Sequence, residues 1–319
     1  MRWLKIFFIV STSVCLVLSV LGYSQFILPG PLKVEKAIVI PRGAGIERIA
    51  IILANHNVIH IPLALSLAAR TVGAGRVLRA GEFSFRKHIS LRSVIDVLQN
   101  GKQVVRRFTI AEGLTNEEIL MILNKTEGLT GEAVMPLNEG ELLPETYFFS
   151  FGDSRNSLIK RMHVGMKKFL FETWKKRAPR LPLLTIKDAI ILASIIEKET
   201  GRAAERARVA GVFINRLRLN MRLQSDPTVS FSITKGKTEL RRGLSREDLK
   251  TQSPYNTYYI RGLPPGPITN PGRAAIKAAM NPRETDELYF VADGKGGHIF
   301  SSNLGEHNRN VAKWRQMNK

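Results

Sequence analysis

The chain has 319 residues, 44% of them hydrophobic and 24% charged, which is ordinary for a globular protein and sets a prior of two domains. Its 48 Lys and Arg against 27 Asp and Glu give a formal charge of +21, so a partner carrying negative charge is a natural expectation. The single cysteine, Cys15, excludes an internal disulfide, and stability must come from packing.

Arg2 and Lys5 precede an uncharged stretch from Ile6 to Leu28, 23 residues long, enough to cross a hydrocarbon core at about 1.5 Å per residue. It reads as a single N-terminal transmembrane helix over residues 6–28, with residues 1–5 cytoplasmic and everything after Pro29 outside. The alternative is a cleaved signal peptide. The run is longer than an h-region of roughly 7–15 residues and lacks an Ala-x-Ala-like cleavage site.

From Val34 to Pro41 the pattern is strand-like, and Ile46, Ile49, Ala50 and Leu53 then fall at helical spacing. A second helical pattern runs from Pro62 to Arg70, Gly81 to Phe85 alternates as a strand, and a helix from Leu91 to Gln99 ends at Gly101, a suitable left-handed cap. Residues 29–103 thus form a small strand, helix, helix, strand unit with a linker, and 104–319 a larger mixed domain, giving an α+β fold class.

In the larger domain Val104 to Ile110 reads as a strand, and Thr115 to Glu118 as a capping box opening a helix to about Asn124. Gly128, Gly131, Pro136 and Gly140 mark an irregular stretch before Pro144-Glu145-Thr146-Tyr147. A helix from Leu158 to about Arg177 carries Ile159, Met162, Met166, Phe169 and Leu170 on one face. Pro179 and Pro182 break it, and Thr185 to Asp188 is a further capping box. After Pro227 the apolar residues Val229, Phe231 and Ile233 alternate, and Ser245 to Asp248 reads as another helix start. A Pro/Gly-rich loop spans 262–272, a helix Arg273 to Met280, and a hairpin follows, with strand 288–292, a turn at 293–297 and strand 299–301.

The chemistry concentrates between Ile186 and Thr228. An apolar run, Ile190 to Ile196, leads into Glu197, so one side of that carboxylate is expected to face a poorly hydrated wall that raises its pKa and keeps a proton available for donation. At 3.6 residues per turn Ile190, Ala193 and Ser194 share the face of Glu197, while Glu199 points about 160° away. The bland alternative for Glu197 is an ion pair with Arg216 or Arg222, and for Glu199 a loop contact through Arg202 or a backbone amide. Asp226, before Pro227, is either extended into a cleft or held in an Asx turn. Gln224, Thr228, Tyr255, Asn256 and Tyr258 supply the neutral hydrogen-bonding groups and aromatic faces of a sugar cleft, though Asn256 is equally suited to brace a turn and Tyr258 to pack in the core.

Several motifs occur in one order: Asn138-Glu139-Gly140, Leu143-Pro144-Glu145-Thr146-Tyr147, Ala193-Ser194-Ile195-Ile196-Glu197-Lys198-Glu199-Thr200, Leu223-Gln224-Ser225-Asp226-Pro227-Thr228, Tyr255-Asn256-Thr257-Tyr258, Gly262-Leu263-Pro264-Pro265-Gly266, and Phe290-Val291-Ala292-Asp293-Gly294-Lys295-Gly296-Gly297-His298. Over most of residues 33 to 316 the chain resembles the YceG-like family of endolytic murein transglycosylases. The resemblance implies cleavage of peptidoglycan glycan strands at the MurNAc-GlcNAc β-1,4 bond. It places the acid/base at the Glu197 position and likens the 29–103 unit to a LysM-like subdomain, where glycan binding and a scaffold role are equal contenders. It also implies nascent strands as substrate, work beside peptidoglycan synthases, and an inner (plasma) membrane location with a periplasmic catalytic domain.

A transglycosylase needs one carboxylic acid: it protonates the scissile oxygen and then, as the anion, accepts the proton of the C6 hydroxyl that closes a 1,6-anhydro ring. Two other readings remain open, a hydrolase using Glu197 with Asp226, and a noncatalytic glycan-binding scaffold. The six histidines, His56, His60, His88, His163, His298 and His307, show no metal-ligand spacing, and no nucleophile elbow or phosphate loop occurs, so no metal and no cofactor is expected. The basic residues fall in dispersed pairs, which together with the exported location argues against nucleic acid; anionic lipid or murein carboxylates are one reading, and a solvated basic surface with no specific partner is an equal alternative.

Overall fold

The computed structural model describes residues 2–71, 77–134 and 137–317; the side chains of Arg2, Lys5 and Cys15, and residues Arg76 and Pro136, lie outside the described residues. The first helix, α1 (Arg2–Ile27), exposes Phe7, Phe8, Ile9, Leu16, Val17 and Val20 to the surroundings. Among the described residues no helix is long and apolar enough to cross a membrane.

The chain divides into two compact units, Met1–Arg106 with Phe148–Asp153, and Arg107–Tyr147 with Ser154–Lys319. The first contains β1 (Lys36–Ile40), α2 (Ile46–Asn55), α3 (Pro62–Thr71), β2 (Gly81–Phe85) and α4 (Leu91–Asn100). β1 and β2 pair antiparallel with Lys36 opposite Phe85 and Ile40 opposite Gly81. Alternation along the two strands sends Ile38, Ile40, Phe83 and Phe85 to one side, where Leu53, Leu65 and Leu98 of the helices complete the core. Gly101 does not adopt the expected left-handed cap: its φ is −62° and ψ 155°. Glycine suits this position because a Cβ would lie 3.0 Å from the Cα of Val97 and still closer to its carbonyl oxygen.

A second sheet pairs β3 (Val105–Thr109) with β4 (Thr146–Ser150). The Pro144-to-Tyr147 motif therefore leads into a strand, and its Thr-Tyr-Phe-Phe run is rich in β-forming residues. The remaining elements are α5 (Asn116–Lys125), α6 (Arg155–Lys175), α7 (Ile186–Glu199), α8 (Arg206–Arg218), α9 (Asp226–Thr234), a 3-10 turn at Asp248–Lys250, α10 (Arg273–Met280), β5 (Tyr289–Ala292), β6 (His298–Ser301) and α11 (Leu304–Met317). β5 and β6 form the expected hairpin, with Tyr289 opposite Ser301.

Three sequence expectations change in this unit. Val229, Phe231 and Ile233 do not form a strand but lie in α9, because Asp226 and Pro227 occupy its first turn, where the fixed φ of proline favours helix entry. Val229, in the first half of the helix, is fully buried, while Ile233, in its last turn, is exposed. Ser245 to Asp248 opens only the short 3-10 turn, although Asp248 does accept from the Ser245 N–H at 2.7 Å. The third change is helix α11, an addition to the elements expected from the sequence, in which no residue is fully buried.

The core of the second unit is built around α7, in which every residue from Ala189 to Ile196 is buried. A helix apolar on all sides must be covered on all sides, and α6, α8 and α10 pack against it. Gly211 lets α8 approach the 283–285 segment: a Cβ there would lie 2.9 Å from the Thr285 methyl and closer still to the Arg283 carbonyl oxygen.

Candidate active site at the end of helix α7

The capping box of Thr185 and Asp188 fixes the register of α7, so the helix delivers Glu197, Lys198 and Glu199 at its last turn. Glu197 turns toward the protein. Its side chain is 5% exposed, with Oε2 accepting from the Gly272 N–H at 2.7 Å and Oε1 lying 3.3 Å from Arg206 Nη2. Arg206, itself 13% exposed, also lies 3.6 Å from Glu112 Oε2. The ion-pair partner of Glu197 is thus Arg206, not Arg216 or Arg222. Arg216 instead donates to the carbonyls of Leu288 at 2.7 Å and Leu223 at 2.8 Å, tying α8 to the strand and turn on either side of the site.

Glu199 faces the other way, into an open cavity of about 480 Å³ lined by Gln224, Asp226, Tyr258, Arg216, Tyr289 and His307 among others. Glu197 does not line it. The Ser225 hydroxyl donates to Glu199, and Tyr258 Oη donates to Asp226 Oδ1 at 2.7 Å. Burial pushes the pKa of Glu199 up to about 7; the Ser225 hydrogen bond opposes this, Asp226 adds to it and Arg216 lowers it. The acid with a raised pKa in an accessible cavity is therefore the second glutamate of the motif, and the expected assignment to Glu197 is not where the geometry leads. The signal was available in part, since the two residues are opposed on the helix. Which side would be sealed was not.

The remaining candidates separate. Gln224, Asp226 and Tyr258 meet Glu199 around the one cavity. Gln224 has φ of 50°, a left-handed conformation uncommon outside glycine and frequent at functional sites. Asp226 is exposed at the start of α9. Thr228 and Asn256 are fully buried. The Thr228 hydroxyl donates to the Ser225 carbonyl at 2.6 Å, and the Asn256 amide donates to the carbonyls of Leu249 and Thr251 at 3.0 and 2.8 Å. Both brace the loops that carry the site and present no surface to a sugar. Tyr255 lies against Phe231, ring centroids 4.9 Å apart, and lines a different cavity with Gly140, Ile190 and Pro265. Tyr289 and His307, which no sequence motif assigns to a site, and Arg216 wall the Glu199 cavity, with the Tyr289 and His307 rings stacked at 5.0 Å. Among the described residues no group of three or more His, Cys, Asp or Glu could hold a metal ion.

Glu139 of the first motif is a structural acid. Both its oxygens accept from the Asn116 N–H at 3.0 Å, and one lies 3.4 Å from the Asn270 amide, which also donates to the Leu114 carbonyl. Burial raises its pKa from 4.5 to about 7, with the Asn116 bond opposing and Glu118 and Glu117 adding. Its folded pKa lies above its unfolded value, so its contribution to stability is full below about 4.5 and is lost as pH rises through about 7. Glu199 acts in the same window, whereas His307, held down mainly by burial, opposes it below 6.5. Measured as the difference in urea midpoint, Glu139→Gln should gain on the wild type as pH rises from about 4.5 to about 7 and no further above it. A difference that is flat across this window would refute the assignment.

The sequence model of the YceG-like family matches residues 38–313. A Bacillus subtilis (strain 168) protein named endolytic murein transglycosylase is 31% identical over 307 residues, covering 86% of this chain and 83% of the relative. A Streptococcus pneumoniae (strain D39) protein of the same name is 29% identical over 92% of this chain, which spans 61% of that relative's length. A 2.6 Å crystal structure of a yceG-like protein, lmo1499, from Listeria monocytogenes superposes with a TM-score of 0.52 at 30% identity, covering 87% of this chain and 99% of that one. The family match over most of the sequence and the shared identity across both chains establish that this chain belongs to the YceG-like family.

Proposed function

We propose that the chain is a lytic transglycosylase that cuts peptidoglycan glycan strands internally, with Glu199 as its acid and base. The observation that carries the assignment is the placement of Glu199, with a pKa raised to about 7, in an open cavity beside Asp226 and Tyr258. The relatives named endolytic murein transglycosylase support the reaction.

The protonated Glu199 gives its proton to the oxygen linking MurNAc C1 to GlcNAc C4, and the C1–O bond breaks. The resulting carboxylate accepts the proton of the MurNAc C6 hydroxyl as O6 bonds to C1. No water enters, the acid is restored, and the products are a free GlcNAc 4-hydroxyl and a 1,6-anhydro-MurNAc end. The nucleophile is already part of the substrate, so its effective concentration is high. The carboxylate of Asp226, oriented by Tyr258, supplies negative charge for the oxocarbenium-like transition state. Asp226 also makes a hydrolytic reading possible, in which it activates water. Mass spectrometry of products from uncrosslinked strands separates the two, because hydrolysis adds a water and leaves reducing ends.

Residues 6–28 are proposed to anchor the protein in the plasma membrane, with the first unit, LysM-like in its strand, helix, helix, strand order, and the catalytic unit outside beside strands under synthesis. The uncharged run and the exposed apolar side chains of α1 support this. Deleting residues 1–28 should move the protein from the membrane to the soluble fraction on cell fractionation. Retention in the membrane would overturn the anchor.

A further inference from the structure

We infer that the cavity on the other side of Asp226 is a second saccharide subsite, and that Lys198 there binds a carboxylate carried by the strand beside the cut. The inference rests on Glu199 marking the position of the cut. The cavity, about 370 Å³, shares Asp226 with the Glu199 cavity and is lined by Lys198, Ser230, Phe231, Thr234 and Thr238 among others. A strand crossing Asp226 would occupy both, as an internal cut requires.

The lining has the chemistry of a sugar site. The hydroxyls of Ser230 and Thr238 have no partner among the described residues, and the Phe231 ring offers an apolar surface. Gly236, φ 74°, keeps that ring in place: a Cβ would lie 2.9 Å from Phe231 Cε2.

The charges around this cavity are largely committed. Glu118 closes its capping box on Thr115, and Arg242 is held by both oxygens of Asp248, at 2.5 and 3.0 Å. Lys198 makes no hydrogen bond or ion pair among the described residues and is exposed. Its stem lies over the Gly113 turn, where a Cβ would be 3.6 Å from Lys198 Cδ. An uncommitted ammonium held next in sequence to the proposed acid, at a hydroxyl-lined cavity, selects a carboxylate. Glu239 and Asp226, exposed acids of the lining without an ion pair among the described residues, would repel such a group, so Lys198 must outweigh them.

Peptidoglycan offers two sources. The lactyl ether of the muramic ring ends in a carboxyl group that is free in a stripped strand and amide-linked where a peptide is attached; the peptide itself carries carboxylates further out. Binding is measured on the full chain bearing Glu199→Gln, using stripped strands, the same strands with lactyl carboxylates converted to amides, and strands with intact peptides. The stripped strand should bind on the order of tenfold more tightly than the amidated one. Adding Lys198→Met should bring that ratio close to one, Lys198→Arg should preserve it, and Glu239→Gln should enlarge it. A Lys198-dependent preference for peptide-bearing over amidated strands, with none for stripped ones, would place the carboxylate on the peptide and still support the subsite. A ratio untouched by Lys198→Met in an equally stable protein, or no preference for either anionic strand, would overturn it. Cleavage of strands by Glu199→Gln, read by product mass, would instead overturn the catalytic assignment, while the ratios are still read from initial binding.

Discussion

Glu199→Gln should lower the rate of anhydro-end formation at neutral pH by roughly 10²–10⁴-fold, the usual contribution of a general acid and base, while strands still bind. Glutamine keeps the shape of the side chain and an acceptor for the Ser225 hydroxyl, but has no proton to donate. The wild-type rate should fall as pH rises above about 7, since the acid must be protonated at the start of each turnover. Glu197→Gln provides the contrast. It leaves the Arg206 guanidinium without its buried partner at 3.3 Å, which should reduce stability by an amount toward the lower end of roughly 3–5 kcal/mol, because Glu112 remains close by. Its anhydro products should persist in the fraction that stays folded, and the fall in rate above about pH 7 should remain. If Glu197→Gln abolished product formation in a fully folded protein while Glu199→Gln retained it, the roles given to the two residues would be reversed.

Phe213→Ala should destabilise the protein by about 3–5 kcal/mol, through lost transfer free energy and the cavity left behind. Phe213 is 1% exposed, within the core formed by α7, α8 and α10. Its ring also meets Phe290 of β5 edge to face, with centroids 5.8 Å apart and planes at 88°, a geometry worth about 0.5–1.5 kcal/mol beyond area. Phe290 lines the Glu199 cavity, so the substitution should loosen that wall as well as the core. Urea denaturation measures the first effect, and the affinity of the Glu199→Gln background for strands the second. A loss of stability under about 1 kcal/mol would mean that the site collapses around the missing ring.

Local signals gave the helices of the second unit. The Thr115 and Thr185 capping boxes and the apolar spacing of α6 and α10 act over a few residues, and the structure has helices at each of those places. They fail where neighbours decide. Val229, Phe231 and Ile233 alternate like a strand, yet among the described residues no strand pairs with them, and the Asp226-Pro227 start carries them into a helix. Helix α11 has no fully buried residue, but it brings His307 to the cavity.

By itself the sequence determined the family, the placing of two candidate acids at the end of α7, and the opposition of Glu197 and Glu199 on that helix, because motif order and helical period are properties of the chain alone. Only the tertiary structure gives the two glutamates different surroundings, on which the proposal for Glu199 rests. Gly272 and Arg206 come from distant and neighbouring segments to close over Glu197, while Ser225, Asp226 and Tyr258 converge beside Glu199 and leave a cavity before it. A carboxyl group's accessibility, and the burial that raises its pKa, depend on what packs against each face of the helix, and those contacts join residues far apart in the sequence.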